Sequence, residues 1–412
     1  MEGVVIKNKN FISLFTGQTI SNTGEQVYLI ALPLIIYELT RSTLTMGTVS
    51  AIIAIPQLIF GLFIGVLIDK TNKKKIMVIS VLIQFILMTL LAILSSFDSL
   101  TTNVIYIITF LYSLLSLIFL STYRSIIPEI VNRKELLKAN SYIQSSLSLV
   151  RVIGPIIAGG VIGLVGVGNS IFVNSLSFLI LFILLINVSV PTDVKSRIQQ
   201  EDNINKSFIK SLFSDVSEGL VFIYNNKKIF SVISLSFFIN IGLAISMSMM
   251  VFYLHGNTSV SISQLGYIYS IGGVITFFFT LMVPLINKLY KNKLIIILVF
   301  CSVSGLALIL LPITQNWISI GVVLGLVTGG VTLASVYINT LIQVLTPNHL
   351  LGRVIITSQL LARLATPLAL FFGGWASHFI ISIPTLFIIS GIIILIITSY
   401  QLFNCRLISK VK

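Results

Sequence analysis

One acid and two arginines lie deep inside apolar segments of this sequence. Glu25 is about fourteen residues into the segment at 11–38, which is roughly 21 Å along a helix and near a bilayer midplane. Arg151 and Arg363 lie at comparable depths in two later segments. A charge at mid-bilayer costs about 3 kcal/mol or more, so such residues usually serve a function. Burial favours a protonated acid and a nearby arginine favours the carboxylate, so this trio predicts reversible proton binding.

Two interpretations of the trio remain open. In the first, Glu25 couples proton movement to another process, and Arg151 and Arg363 tune it. In the second, Glu25 and Arg151 form a static ion pair that only orders the helices.

The composition predicts the fold class. Apolar residues make up 56% of the chain and charged residues 9%, whereas soluble domains carry about 25% charged residues. Lipid offers no partner for backbone N–H and C=O groups, so apolar runs of about 20 residues must span it as helices. We therefore predict an all-α integral membrane protein with twelve transmembrane helices. The spans lie at about 11–38, 44–68, 76–96, 103–125, 140–166, 169–190, 228–254, 262–287, 294–312, 317–343, 354–378 and 380–403.

The basic residues predict the orientation. Of the 26 lysines and arginines, 22 lie in the two termini or in alternate gaps between spans, all on one side. The positive-inside rule then places both termini in the cytoplasm. This bias also accounts for the net charge of +14, so we expect contact with membrane lipid and no nucleic-acid partner. The first span is too long for a signal peptide and lacks a small-residue cleavage site.

An internal repeat divides the chain. An arginine precedes a proline by four residues at both 151–155 and 363–367, and other short matches keep the same order. We predict two pseudo-symmetric six-helix halves, residues 1–190 and 228–412. The polar segment 191–227 joins them, either with an amphipathic helix on the inner leaflet or as a plain flexible linker.

A charged loop between the second and third spans carries a motif. It has the pattern Gly-x-x-x-Asp-Arg/Lys-x-Gly-Arg/Lys-Arg/Lys, except that Asn72 replaces the second glycine. Asparagine is the next best residue after glycine for a left-handed turn, so this departure from the pattern is mild. The matching residues are Gly65, Asp69, Lys70, Lys73 and Lys74.

This loop resembles the signature of the major facilitator superfamily, and the resemblance covers nearly the whole chain. Gly154-Pro155 with Gly159-Gly160 resembles the fifth-helix signature of exporter branches, and residues 17–40 resemble macrolide-efflux-like, proton-coupled drug exporters. The resemblance implies the major facilitator fold and export driven by a proton gradient without a cofactor.

The resemblance also implies an inner gate. Asp69 ends the second predicted helix, where a carboxylate can face the positive end of a neighbouring helix. Its expected partners are the start of the eleventh span near Arg353, or Arg124 at the foot of the fourth. The alternative is that the lysine-rich loop only determines topology.

The fifth span combines a proline with small residues. Pro155 removes a backbone hydrogen bond, and Gly154, Gly159 and Gly160 allow close helix approach. Close packing is one interpretation, and a bend that controls gating is the one that the resemblance implies.

Polar and aromatic residues in the spans predict a binding cavity. Few hydrogen-bonding groups, many aromatics and one acid favour a large, amphipathic, cationic substrate, although each residue could instead link helices. The candidates are Gln18, Asn22, Gln26, Tyr112, Tyr123, Asn240, Tyr337, Asn339 and Gln359.

These features together favour a monomeric secondary active exporter of hydrophobic compounds such as macrolides in a bacterial plasma membrane. No phosphate-binding loop supports coupling to ATP, and no catalytic or metal-binding spacing supports an enzyme. The alternatives are export of an endogenous metabolite or siderophore, a lysophospholipid flippase, and a passive channel or transporter-like sensor.

Overall fold

The computed structural model describes residues 8–61, 63–64, 68, 71–189, 205–256, 258, 260–290 and 292–409. Within these residues the chain is helical and contains no strand. Among the predicted site residues, Gly65, Asp69 and Lys70 lie outside the described ranges.

Fourteen α-helices make up the described chain, with short 3-10 turns at Arg133–Glu135 and Leu311–Ile313. In chain order they are α1 Lys9–Thr40, α2 Thr43–Phe60, α3 Lys73–Ser96, α4 Thr102–Ile130, α5 Leu136–Val165, α6 Val167–Ile186, α7 Asn205–Asn225, α8 Lys227–Gly256, α9 Ile262–Leu289, α10 Lys293–Leu310, α11 Trp317–Leu345, α12 Leu351–Arg363, α13 Thr366–Phe379 and α14 Ile383–Ser409.

The all-α membrane fold is confirmed. Eleven stretches of the described residues are helical, long and apolar enough to cross a membrane, and each coincides with a predicted span. Helix α1 coincides with the remaining predicted span but is not among the eleven. Its residues Gln18, Asn22 and Glu25 lower its mean hydropathy.

Asparagine side chains cap the starts of five described helices, at Asn8, Asn72, Asn226, Asn292 and Asn316. The Asn8 side chain accepts hydrogen bonds from the backbone at the start of α1. Asn72 Oδ1 accepts from the backbone N–H of Lys75 at 3.0 Å, and Asn292 caps α10 in the same way. Asn72 is not in a left-handed turn: its φ of −69° and ψ of 106° are those of an extended N-cap residue.

The predicted span 354–378 consists of two helices, α12 and α13, with a break at Leu364–Ala365. Pro367 begins α13 and cannot donate a backbone hydrogen bond to the carbonyl of Arg363. In the other half, α5 continues through Pro155 from Leu136 to Val165. The repeated arginine and proline therefore lie in one broken helix and one continuous helix.

The chain forms two compact units. The first contains α1, α3 to α6, most of α2, and α9 as far as Ser270. The second contains Met46–Ala51 of α2, α7, α8, the rest of α9, and α10 to α14. The half boundaries at residues 190 and 228 remain a prediction.

In the first unit, α1 packs against α5 and α6, and α3 packs against α4 and α6. Fully buried apolar side chains such as Leu14, Met77 and Leu181 fill the contacts. In the second unit, α10 packs against α11 and α14, and α8 packs against α12, α13 and α14. The half-exposed aliphatic residues on the outer helix faces suit a lipid environment.

We predict that Gly391→Ala destabilises the protein by about 1–3 kcal/mol, because packed helices tolerate little added volume. A Cβ at Gly391 would lie 2.5 Å from the carbonyl oxygen of Gly305 on α10. Gly160→Ala is the matched control, because a Cβ there has nothing within 4 Å. Thermal unfolding in detergent should show a lower midpoint for the first variant and an unchanged or higher midpoint for the second. Equal midpoints would contradict the close α10–α14 contact.

Candidate functional site

The polar residues of α1 lie along one face. Gln18, Asn22 and Glu25 are spaced i, i+4 and i+7, which brings them to the same side of a helix. Asn22 and Glu25 are about 4.5 Å apart along the helix axis. Their neighbours in the first unit divide this face into an acidic cluster around Glu25 and a polar cavity around Gln18 and Asn22.

The acidic cluster consists of Glu25 and two tyrosines. The hydroxyl of Tyr112 on α4 lies beside the Glu25 carboxylate. The rings of Tyr28 and Tyr112 pack with centroids 4.8 Å apart, and both rings are almost fully buried. Glu25 therefore faces aromatic side chains with hydroxyl groups inside an otherwise apolar helix bundle.

Further polar groups from α3 and α6 extend this cluster. The Tyr112 hydroxyl lies beside Ser116 and Asn174, and Gln84 Nε2 donates to Ser116 Oγ at 2.8 Å. Asn174 Nδ2 and Gln84 Oε1 are buried without a hydrogen-bond partner among the described residues. Four helices thus bring polar groups together behind Glu25.

The two arginines predicted beside Glu25 are arranged differently. Both Arg151 and Arg363 have exposed side chains. Neither forms an ion pair with a described carboxylate of its own unit. The structure therefore brings Glu25 together with Tyr112 and does not show the static Glu25–Arg151 pair.

The polar cavity lies between α1, α4 and α5 and has a volume of about 340 Å³. Its α4 and α5 residues follow the i, i+3, i+4, i+7 spacing of one helix face. It is lined by Gln18, Thr19, Asn22, Leu120, Tyr123, Arg124, Ile127, Asn140, Ile143, Gln144, Ser146 and Leu147.

Hydrogen bonds order the α1 wall of this cavity. Gln18 Nε2 donates to Asn22 Oδ1 at 2.8 Å, and Thr19 Oγ1 donates to Ser146 Oγ on α5 at 3.3 Å. Gln18 Oε1 is buried and has no hydrogen-bond partner among the described residues. The wall therefore retains an acceptor that a ligand can satisfy.

The cavity contains only part of the predicted set. Gln18, Asn22 and Tyr123 line it, together with Arg124, which the sequence assigned to the inner gate. Tyr112 lies in the acidic cluster instead. The other candidates are placed as follows: Gln26 packs beside Gly154, Asn240 Nδ2 donates to Ser236 O at 2.8 Å, Tyr337 donates to Val283 O at 3.1 Å, and Asn339 and Gln359 are exposed.

Sequence reasoning missed Asn140 and Gln144 as cavity residues. They are four residues apart on α5, with Ile143 and Leu147 on the same face. This amphipathic spacing at the start of the predicted span could have indicated that α5 forms a polar wall of a cavity.

Two lysines of the predicted gate contact neighbouring helix ends. Lys73 Nζ lies 2.7 Å from Glu129 Oε1 on α4 and also donates to Ser125 O. Lys74 Nζ donates to the carbonyl oxygen of Ile186, the last residue of α6, at 2.8 Å. These lysines therefore hold the start of α3 against α4 and α6.

Arg353, the predicted partner of Asp69, binds acids of the linker helix α7. Its guanidinium lies 2.7 Å from Asp215 Oδ1 and 2.5 Å from Glu218 Oε2. Gly219 of α7 also packs closely against Thr357 of α12. The linker helix is thus fastened to the start of α12 by ion pairs and by close packing.

The small residues of α5 are only partly used for packing. Gly154 is buried against Gln26, and a Cβ at Gly159 would lie 3.1 Å from Gly266 on α9. Pro155 is buried, whereas Gly160 faces open space. Close approach therefore explains Gly154 and Gly159, and the bend at Pro155 remains a prediction.

A bundle of helices long and apolar enough to cross a membrane, with a polar cavity and an acid beside buried aromatic rings, is typical of a membrane transporter. The family model of the Major Facilitator Superfamily matches residues 14–369. The chain therefore belongs to the Major Facilitator Superfamily, and it is a multi-pass protein of the cell membrane.

Two curated relatives are similar to this chain at low identity. Macrolide efflux protein A of Streptococcus pyogenes is 24% identical over 223 residues, 54% of this chain and 53% of that protein. The uncharacterized MFS-type transporter YkuC of Bacillus subtilis is 25% identical over 247 residues, 58% of this chain and 56% of that protein. The chain thus spans about half the length of the curated relatives that it matches.

Solved structures share the fold. A mutant form of the nucleoside transporter NupG gives a TM-score of 0.74 at 14% identity, covering 95% of this chain and 99% of that one. A bacterial homologue of the iron transporter ferroportin gives 0.72 at 17% identity, covering 97% and 99%.

We predict that the cavity admits water-soluble reagents. In a Cys301→Ser, Cys405→Ser background, Gln144→Cys should react with a charged methanethiosulfonate, because Gln144 is exposed at the cavity wall. Ser170→Cys is the control and should stay unlabelled, because Ser170 is fully buried in α6. A cavity closed to water would leave both cysteines unlabelled.

A double-mutant cycle should measure the ion pairs that fasten the linker helix. We expect Arg353→Gln and Glu218→Gln to show a coupling of about 0.2–1 kcal/mol in unfolding free energy, because both side chains are partly exposed. Arg353→Gln combined with Glu38→Gln should show none, because these two side chains share no described ion-pair partner and such sites add independently. No coupling in the first cycle would mean that packing alone holds α7.

Proposed function

We propose that this transporter is a proton-coupled exporter of hydrophobic or amphipathic compounds such as macrolide-type antibiotics, working by alternating access. The observation that carries the proposal is Glu25, a carboxylic acid held within α1 beside the Tyr112 hydroxyl in aromatic and apolar surroundings. An acid in such a position can change its protonation state as its surroundings change.

The geometry of α1 supports coupling between the proton and a substrate. Glu25 is one helical turn from Asn22, which lines the polar cavity. A substrate that displaces water or side chains at Asn22 alters the environment of Glu25 along the same helix. Substrate binding in the cavity therefore changes the proton affinity of Glu25. By thermodynamic linkage, protonation of Glu25 changes the substrate affinity of the cavity by the same factor.

The similarity to macrolide efflux protein A supports the choice of macrolides as a first substrate class. Coupling to the proton gradient requires no cofactor. The energy comes from protons that bind Glu25 on one side of the membrane and leave on the other.

Glu25→Gln should abolish the part of export that follows an imposed pH gradient, because the glutamine side chain binds no proton at the pH of the assay. Erythromycin efflux from cells of a pump-deficient host, with and without a protonophore, measures this. Glu38→Gln is the matched control, because Glu38 is an exposed acid at the end of the same helix. It should retain gradient-driven efflux. Gradient-driven efflux at unchanged stoichiometry in Glu25→Gln would refute the coupling role.

A further inference from the structure

The polar cavity of the first unit contains one charged side chain. Arg124 is in its lining, and every other lining residue is an amide, a hydroxyl or an apolar side chain. Arg124 forms no ion pair with a described carboxylate. The acid on the same face of α1, Glu25, is not part of the lining and faces Tyr112. The cavity is therefore electrostatically positive.

The position of this arginine suits contact with a ligand. Arg124 is six residues before the end of α4, about 9 Å along the helix axis, and its side chain is exposed at the cavity. An arginine guanidinium binds carboxylate or phosphate through two parallel hydrogen bonds.

The remaining walls specify the rest of that ligand. Asn140 and Gln144 can donate amide N–H groups to anionic oxygens, and the unpartnered Gln18 Oε1 can accept from a ligand hydroxyl. Leu120, Ile127, Ile143 and Leu147 form an apolar side of the same cavity. A volume of about 340 Å³ accommodates a polar head group and its first few carbons.

We infer that this cavity binds amphiphiles whose head group is anionic, a phosphate or a carboxylate, next to an apolar chain. The inference rests on the proposed export function and refines its substrate class. It also revises the cationic substrate that the sequence favoured, since none of the lining residues is an acid. A cationic head group would be repelled by Arg124 and would find no carboxylate in the lining, so a macrolide with a protonated amine should bind here more weakly than an anionic amphiphile.

The full-length protein in nanodiscs can be titrated by calorimetry with octyl phosphate, octyltrimethylammonium and inorganic phosphate, with empty nanodiscs as the blank. Octyl phosphate should bind, octyltrimethylammonium should bind much more weakly, and inorganic phosphate should not compete. Tighter binding of the ammonium compound would overturn the inference. Equal binding of inorganic phosphate and octyl phosphate would also overturn it, because the site would then recognise an ion rather than an amphiphile.

Substitutions in the lining test whether octyl phosphate binds in this cavity. Arg124→Gln should weaken octyl phosphate binding about tenfold or more, because it removes charge-assisted hydrogen bonds, and Arg124→Lys should weaken it less. Arg133→Gln is the control for charge, because Arg133 is exposed just beyond the end of α4 and outside the lining. It should bind as the unmodified protein does. Unchanged binding in Arg124→Gln would overturn the inference.

A second substitution keeps the test decisive if the Arg124→Gln variant does not fold. If Arg124→Gln unfolds before titration, Gln144→Leu should also weaken octyl phosphate binding, and undiminished binding in that variant would overturn the inference. Efflux assays with erythromycin and with octyl phosphate separate this result from the proposed function. Erythromycin efflux without octyl phosphate binding contradicts only the anionic substrate class, whereas octyl phosphate binding without gradient-driven efflux of either compound contradicts only the exporter.

Discussion

The hydrocarbon interior of a membrane determines most of this structure, because it leaves no partner for an exposed backbone N–H or C=O group. Every long apolar run of the described chain is accordingly a helix whose backbone bonds are internal. Breaks occur where a side chain or a ring prevents those bonds. The break before Pro367 is one such case, and the N-cap at Asn72 marks where a helix starts again.

The hydrocarbon interior also makes each polar side chain costly to bury, and in the first unit several polar side chains lie on one helix. Helix α1 has Gln18 and Asn22 at a cavity and Glu25 in an aromatic cluster one turn away. The helix is therefore less apolar than the eleven helical stretches that are long and apolar enough to cross a membrane. Loss of apolar character is the cost of placing an acid and a polar cavity wall on one helix.

Charged groups at the helix ends connect neighbouring helices. Lys73 and Lys74 secure the start of α3 to α4 and α6, and Arg353 secures the linker helix α7 to α12. The ion pairs of Lys73 and Arg353 are partly exposed, so each contributes little stability alone. The lysines at the start of α3 therefore contribute to helix packing.

The sequence by itself determined the membrane class, the positions of the spans and the polar character of α1, because hydropathy and helical spacing are local properties. Only the tertiary structure decided which polar residues meet. Tyr112 and Tyr123 are both aromatic residues of α4, yet one lies beside Glu25 and the other lines the cavity. Likewise, Arg353 contacts Asp215 and Glu218, far away in sequence. Such pairings depend on the rotation of each helix about its axis, and that rotation is set by packing among several helices rather than by any one segment.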